Sequence, residues 1–229
     1  MIKSAIKQII WDVDGTLYQN IPELTQCDNT FQRNFLAKYL PELSEAQRLY
    51  RLKEMMKKYK GSTLAMSKIS GLSITEVGWL NEQALPRSHY IKKDPKLRQL
   101  FQKIKDQQIT NYVLRNGITT ETKKIIKLLG LAPDDGSETR DEFFSQIIGS
   151  FDSIGKSKPD LAVFEYFVKN FRLNPAETLS IGDRIEIELV PAKKLGMQTA
   201  LVWQKSIPEK SKSIVDFVLP TVYDLASIL

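Results

Sequence analysis

The chain has 229 residues, enough to bury a sizeable core as one domain or as one domain carrying a second, smaller one. Hydrophobic residues make up 42% and charged residues 26%, which excludes a disordered chain, and 33 Lys and Arg against 27 acids leave a net charge of +6. That charge is spread along the sequence with no basic arm, so it excludes nothing except a dedicated nucleic-acid tail and allows a weak attraction to phosphorylated metabolites. Cys27 and His89 are each the only residue of their kind. No intrachain disulfide, thiolate zinc cluster or multi-His site can form, so any metal is held mainly by oxygen, which points towards Mg²⁺ or a similar hard cation.

In chain order, the first residues MIKSAIKQIIWDVDG carry charges that break the apolar run, which predicts no signal peptide. No stretch elsewhere is long enough to span a membrane, and a cytoplasmic protein is expected. Ile6 to Val13 is a short run rich in branched residues that Gly15 ends, the pattern of a buried parallel strand. From 18 to 91 the periodicity is helical throughout. Cys27–Tyr39, Thr63–Ser70 and Ile74–Ala84 read as helices, and Leu49, Leu52, Met56 and Tyr59 share a face of a helix capped by Ser44 and stopped by Gly61. Then strands at Ile109–Leu114, Ile147–Phe151, Thr178–Ile181 and Thr199–Val202 alternate with helices. One of these helices is marked by Leu97, Leu100, Phe101 and Ile104 behind an Asp94-Pro95 cap, another by Leu161, Phe164 and Val168. Ala132–Arg140 reads as a polar loop. The predicted architecture is α/β: a Rossmann-like core, a parallel sheet flanked by helices, over residues 1–17 and 92–229, with an all-helical cap domain inserted at 18–91.

Chemistry concentrates where strands end. Asp12-Val13-Asp14-Gly15-Thr16-Leu17 places two carboxylates at the C-terminal end of the first strand, the usual ligand position of an open α/β sheet. One can attack phosphorus while its neighbour handles the leaving-group proton; the bland alternative is an Asx-type turn. Lys158, ahead of Pro159 and a helix, could balance the charge of nucleophile and phosphate, or simply be an exposed helix-start lysine. Asp183, in Ile181-Gly182-Asp183-Arg184-Ile185-Glu186-Ile187-Glu188, follows another strand and could bind Mg²⁺ opposite Asp12, supported by Glu186 or Glu188.

Together these motifs resemble the haloacid dehalogenase-like hydrolase superfamily, over everything except the insertion. The resemblance implies Mg²⁺ dependence and an aspartyl-phosphate intermediate, with Asp12 as nucleophile and Asp14 as general acid/base. It also implies that the Asp14 backbone carbonyl lies on the metal, that Lys158 stabilises charge and that Asp183 is a metal ligand. The sequence departs from the pattern at the second motif, Tyr112-Val113-Leu114-Arg115-Asn116-Gly117, where Arg115 replaces the phosphate-binding Thr or Ser and Asn116 keeps the usual continuation. Arg115 either clamps phosphate or crowds the pocket. Glu188 stands where Asp is usual.

The second aspartate argues for phosphoryl rather than dehalogenase chemistry, and short stretches (Asp12–Tyr18, Lys57–Leu72 and Asp94–Arg98) resemble the pyrimidine 5′-nucleotidase branch. The expected activity is an Mg²⁺-dependent phosphatase for a small phosphorylated metabolite, with no nucleic-acid or membrane partner. A phosphomutase and a catalytically weak phosphate-binding module, the latter motivated by Arg115, are the alternatives. Tyr18, directly after the catalytic loop, is the leading substrate contact. Tyr59, Lys60, Trp79 and His89 are further candidates, for which packing or plain exposure is the default reading.

Overall fold

The computed structural model describes residues 5–132 and 142–229. Strand β1 (Gln8–Trp11) is followed by five helices: α1 (Pro22–Tyr39), α2 (Glu45–Tyr59), α3 (Ser62–Ser70), α4 (Ile74–Gln83) and α5 (Arg87–Tyr90). Then α6 (Pro95–Asp106), β2 (Thr110–Arg115), α7 (Thr119–Leu128), β3 (Phe144–Gly149), α8 (Ser150–Ser153) and α9 (Leu161–Asn170) alternate. The chain continues through β4 (Thr178–Gly182), a wide π-turn at Ile185–Leu189, α10 (Val190–Lys194), β5 (Gln198–Val202) and β6 (Phe217–Leu219). All six strands are parallel, in the order β3-β2-β1-β4-β5-β6. The order reverses beside β1, which makes the crevice between β1 and β4 the switch point where such sheets bind ligands. Among the described residues no helix is long and apolar enough to cross a membrane.

Alternation along each strand splits the core. Ile9 and Trp11 point to one face, joining Val113, Leu179, Ile181 and the α6 stripe Leu97, Leu100, Phe101 and Ile104. Ile10 points to the other, with Tyr112, Leu114, Ile148, Val163, Phe164 and Phe167. Trp11 Nε1 donates to Asn111 Oδ1 at 2.9 Å, which satisfies its one polar atom inside the core.

The helices between β1 and β2 have a cluster of their own, built on Phe35, Leu36, Leu52, Ala65, Met66 and Val77. Ser44 and Ser73 close capping boxes on α2 and α4. Helix α4 seats this unit against α8, just past the end of β3: Thr75 Oγ1 donates to the Phe151 carbonyl at 2.6 Å. A Cβ on Gly78 would stand 2.7 Å from the Phe151 ring, so only glycine permits that approach.

Several expectations shift. Helix α2 stops at Lys60, which itself takes the left-handed conformation (φ 59°), and Gly61 instead starts α3. Its buried face uses Met55, while Met56 is 37% exposed and Tyr59 lies outside the cluster. β3 begins earlier than the apolar run because Phe144 enters the core while Ser145 and Gln146 face outward. Edge strand β6 went unpredicted, being only three residues long. The polar loop lies outside the described residues except for Ala132.

Candidate active site

Register brings the functional residues together. Trp11 is level with Val113 on one side and Ile181 on the other, so the chain beyond β1 emerges beside the ends of β2 and β4. Gly15 turns the loop with φ +79°, and its missing side chain makes room for Asp183: a Cβ there would stand 2.5 Å from Asp183 Oδ2. Thr16 ties the loop twice. Its hydroxyl donates to Asp12 Oδ2 at 2.9 Å, and its carbonyl accepts from Trp203 Nε1 at 3.0 Å.

Lys158 is buried with its ammonium group on three acceptors: Asp12 Oδ1 at 2.6 Å, the Leu114 carbonyl at 2.9 Å and Glu188 Oε1 at 3.2 Å. Burial works to lower its pKa, but the charges of Asp12 and Glu188 outweigh it and hold the pKa above the usual value. The exposed-lysine alternative is thus excluded by geometry. The Lys158–Pro159 peptide is cis. Asn116 supports the same loop: its Nδ2 donates to the Lys158 carbonyl at 3.1 Å and its Oδ1 accepts from Lys158 N at 2.8 Å and Ser150 Oγ at 3.1 Å. The Asn116 side chain thus positions the lysine loop, and the residue also lines the cavity described below.

Asp183 and Glu188 face the same cleft. Burial first, then the charge of Asp12, pushes Asp183 up to about 6. Burial also raises Glu188, to about 7, against the pull of Lys158. Each keeps one buried oxygen, Asp183 Oδ1 and Glu188 Oε2, without a hydrogen-bond partner. Carboxylates desolvated beside each other with orphaned oxygens are the electrostatics of a cation site. Among the described residues no three His, Cys, Asp or Glu side chains form a metal cluster. A cation here would rest on Asp12, Asp183, a backbone carbonyl and water, and that sparse oxygen set fits Mg²⁺. Glu186, by contrast, is exposed and away from the cleft, because the π-turn sends it outward while turning Ile187 and Glu188 inward. Of the two glutamates it is Glu188 that reaches Lys158.

Arg115 turns inward and is buried, where its guanidinium group meets two carboxylates. Its Nε donates to Asp14 Oδ2 at 2.5 Å, and its Nη1 pairs with Glu82 Oε1 at 2.5 Å. Arg87 Nη1 donates to Asp14 Oδ1 at 2.8 Å, and the Tyr18 hydroxyl hydrogen-bonds the same oxygen. Burial would raise the Asp14 pKa; Arg115, Arg87 and Tyr18 together reverse this and hold it far below the usual carboxylate range.

A cavity of about 270 Å³ opens above these residues, walled by Tyr18, Asp28, Lys60, Asn81, Arg87 and Arg184 among others. Trp79 and His89 are exposed and do not line it; Tyr59 also lies outside it. Glu82, Arg87 and Asp28 were missed by sequence reading. They sit in helices with no local motif, and only the fold carries them to the strand ends.

A parallel sheet with acidic loops after β1 and β4 and a buried lysine bridging them defines a Rossmann-like hydrolase site. The family model for haloacid dehalogenase-like hydrolases matches residues 6–196, and the chain belongs to that family. Its sequence is similar to proteins named glyceraldehyde 3-phosphate phosphatase. With that of Methanocaldococcus jannaschii it is 28% identical over 51% of this chain and 47% of the relative. With that of Methanopyrus kandleri it is 20% identical over 98% and 97%. The match thus spans about half the length of the M. jannaschii relative and 55% of the Pyrococcus furiosus one. Among solved structures, a HAD phosphatase from Thermococcus onnurineus superposes with a TM-score of 0.61 at 18% identity, over 97% of both chains. YfnB from Bacillus subtilis, solved with magnesium, does so with a TM-score of 0.62 at 18% identity, over 99% of both.

Proposed function

We propose that this protein is an Mg²⁺-dependent phosphatase for a small phosphomonoester, working through an aspartyl-phosphate on Asp12. The observation that carries the proposal is the buried Lys158 ammonium 2.6 Å from Asp12 Oδ1, with the orphaned Asp183 oxygen in the same cleft. Bound Mg²⁺ would supply Lewis-acid charge to the phosphate oxygens, held by Asp12, Asp183 and the Asp14 carbonyl. Asp12 attacks phosphorus and the substrate alkoxide leaves. Lys158 balances the charge that the nucleophile and phosphate bring together, and Glu188 holds Lys158 from the far side. Asp14 serves the proton transfers at leaving group and water.

We infer that residues 18–91 act as a cap over this cleft and that the Tyr18 hydroxyl, held by Asp14 and Arg87, borders the substrate. The cavity is below the usual range for drug-sized ligands, about 300–1,000 Å³. That size, its polar wall and the relatives' names favour a small phosphorylated sugar over a nucleoside monophosphate. The ion pairs that occupy Asp14 favour a second reading, a catalytically weak phosphate-binding protein.

Asp12→Asn decides between them. It should abolish Mg²⁺-dependent hydrolysis of glyceraldehyde 3-phosphate and p-nitrophenyl phosphate while leaving the circular dichroism spectrum unchanged. Wild-type protein inactive over a panel of sugar phosphates would support the second reading; activity surviving in folded Asp12→Asn would refute the nucleophile.

A further inference from the structure

Helix α4 carries a buried acid that the phosphoryl chemistry above does not use. Glu82 is 8% exposed. Its Oε1 lies 2.5 Å from Arg115 Nη1, and its Oε2 accepts from Arg87 Nε at 3.0 Å. The same two guanidinium groups hold both oxygens of Asp14. Four side chains thus close a ring of alternating charge, Asp14, Arg115, Glu82 and Arg87. Asp14 and Arg115 come from the strand ends, Glu82 and Arg87 from the helical insertion.

The ring explains how an arginine is tolerated where the family's pattern has a hydroxyl. Two guanidinium groups share one buried space, and a single carboxylate between them would leave a positive charge uncompensated, which buried sites do not tolerate cheaply. Glu82 supplies the missing charge. Gly117 supplies the volume, since a Cβ there would stand 2.3 Å from Arg115 Nη1. Helix α4 is in turn fixed to the sheet side by Thr75 and Gly78 at Phe151, so Glu82 reaches the ring from a firm base. Asp14 is left with little freedom: Arg115 fills one oxygen, while Arg87 and Tyr18 share the other.

We propose that Glu82 is a positioning residue: it holds Arg115 and Arg87 on Asp14 and thereby sets both the Asp14 carboxylate and the seating of α4 and α5 over the phosphate site. This rests on reading Asp14 as the proton-transfer group. The pairing itself, Glu82 as the condition for Arg115, stands on the ion pairs alone.

The test combines kinetics on p-nitrophenyl phosphate at saturating Mg²⁺ with proton exchange at the arginine Nε–H groups, read by ¹H–¹⁵N NMR. Wild type should show slow exchange at Arg115, bonded to Asp14, and at Arg87, bonded to Glu82. In Glu82→Gln the Arg87 Nε–H should exchange faster and kcat should fall roughly tenfold with a smaller change in KM. Adding Arg115→Thr to Glu82→Gln removes the excess positive charge and leaves Arg87 paired with Asp14. The double variant should therefore recover to within about threefold of Arg115→Thr alone, whereas a residue serving stability only would show additive losses.

Wild-type exchange and kinetics in Glu82→Gln, or a double variant whose loss is the product of the two single losses, would overturn the proposal. If Glu82→Gln does not fold, a folded double variant supports the pairing and an unfolded one overturns it. Should wild type prove inactive, the phosphatase reading fails, and exchange and the relative stability of single and double variants still judge the ring.

Discussion

Lys158→Met tests whether the buried charges of the cleft are a single balanced unit. Methionine keeps most of the aliphatic stem, so packing is nearly preserved and the perturbation is the loss of one ammonium group. Among the described residues, the Asp12 side chain then keeps only the Thr16 hydroxyl at 2.9 Å, and Glu188 only Arg184 at 3.4 Å. Both are almost fully buried, at 5% and 1% exposure. Removing one partner from such a site typically destabilises by about 3–5 kcal/mol. Protonation offers partial relief, which fixes the pH dependence. In the wild type Glu188 titrates in the folded state at about 7 against an ordinary value of 4.5. Between those values the folded protein binds more protons than the unfolded chain, so stability is lost as pH rises through that window. Asp183, pushed up to about 6, acts in the same sense. Without Lys158 the folded-state values rise further, and the variant's deficit should be small near about pH 5 and grow towards the full range near about pH 8. Urea unfolding in EDTA, followed by tryptophan fluorescence, measures it. A variant within about 1 kcal/mol of wild type at the higher pH, or a deficit flat across pH, would refute the reasoning.

Two further expectations follow from the same geometry. Chelation should stop turnover reversibly without changing the circular dichroism spectrum, because a sparse oxygen site next to a complete hydrophobic core contributes to charge balance and not to folding; full activity in excess EDTA would contradict it. Gly149→Ala should destabilise by about 3 kcal/mol, the upper end for overpacking, and lower activity as well. A Cβ there would lie 2.4 Å from the Ile118 and Thr119 backbone and 2.5 Å from the Gly117 carbonyl. Urea unfolding with parallel kinetics reads both effects, and an unchanged midpoint would contradict the clash.

By itself the sequence determined the sheet and one half of the site. Short branched runs at Ile9–Trp11, Val113–Leu114 and Leu179–Ile181 can be buried on both faces only as central parallel strands, so the residues that follow them, Asp12, Arg115 and Asp183, had to emerge on one edge. Capping followed from local chemistry, with Ser44 closing its box one helical turn from Gln47. Side-chain commitments were not local and could not be read. Asn116 serves Lys158, Glu188 faces inward where Glu186 faces out, and Met55 replaces Met56 in the core of the insertion; each depends on how a turn or helix is set in the folded chain, which periodicity leaves open. Above all, the position of Arg115 was legible but its partners were not. Glu82 is separated from it by 33 residues and Arg87 by 28, counting along the sequence. A charge has no sequence signature of its own; only when folding removes water from around it does its nearest opposite charge become the term that decides where it points.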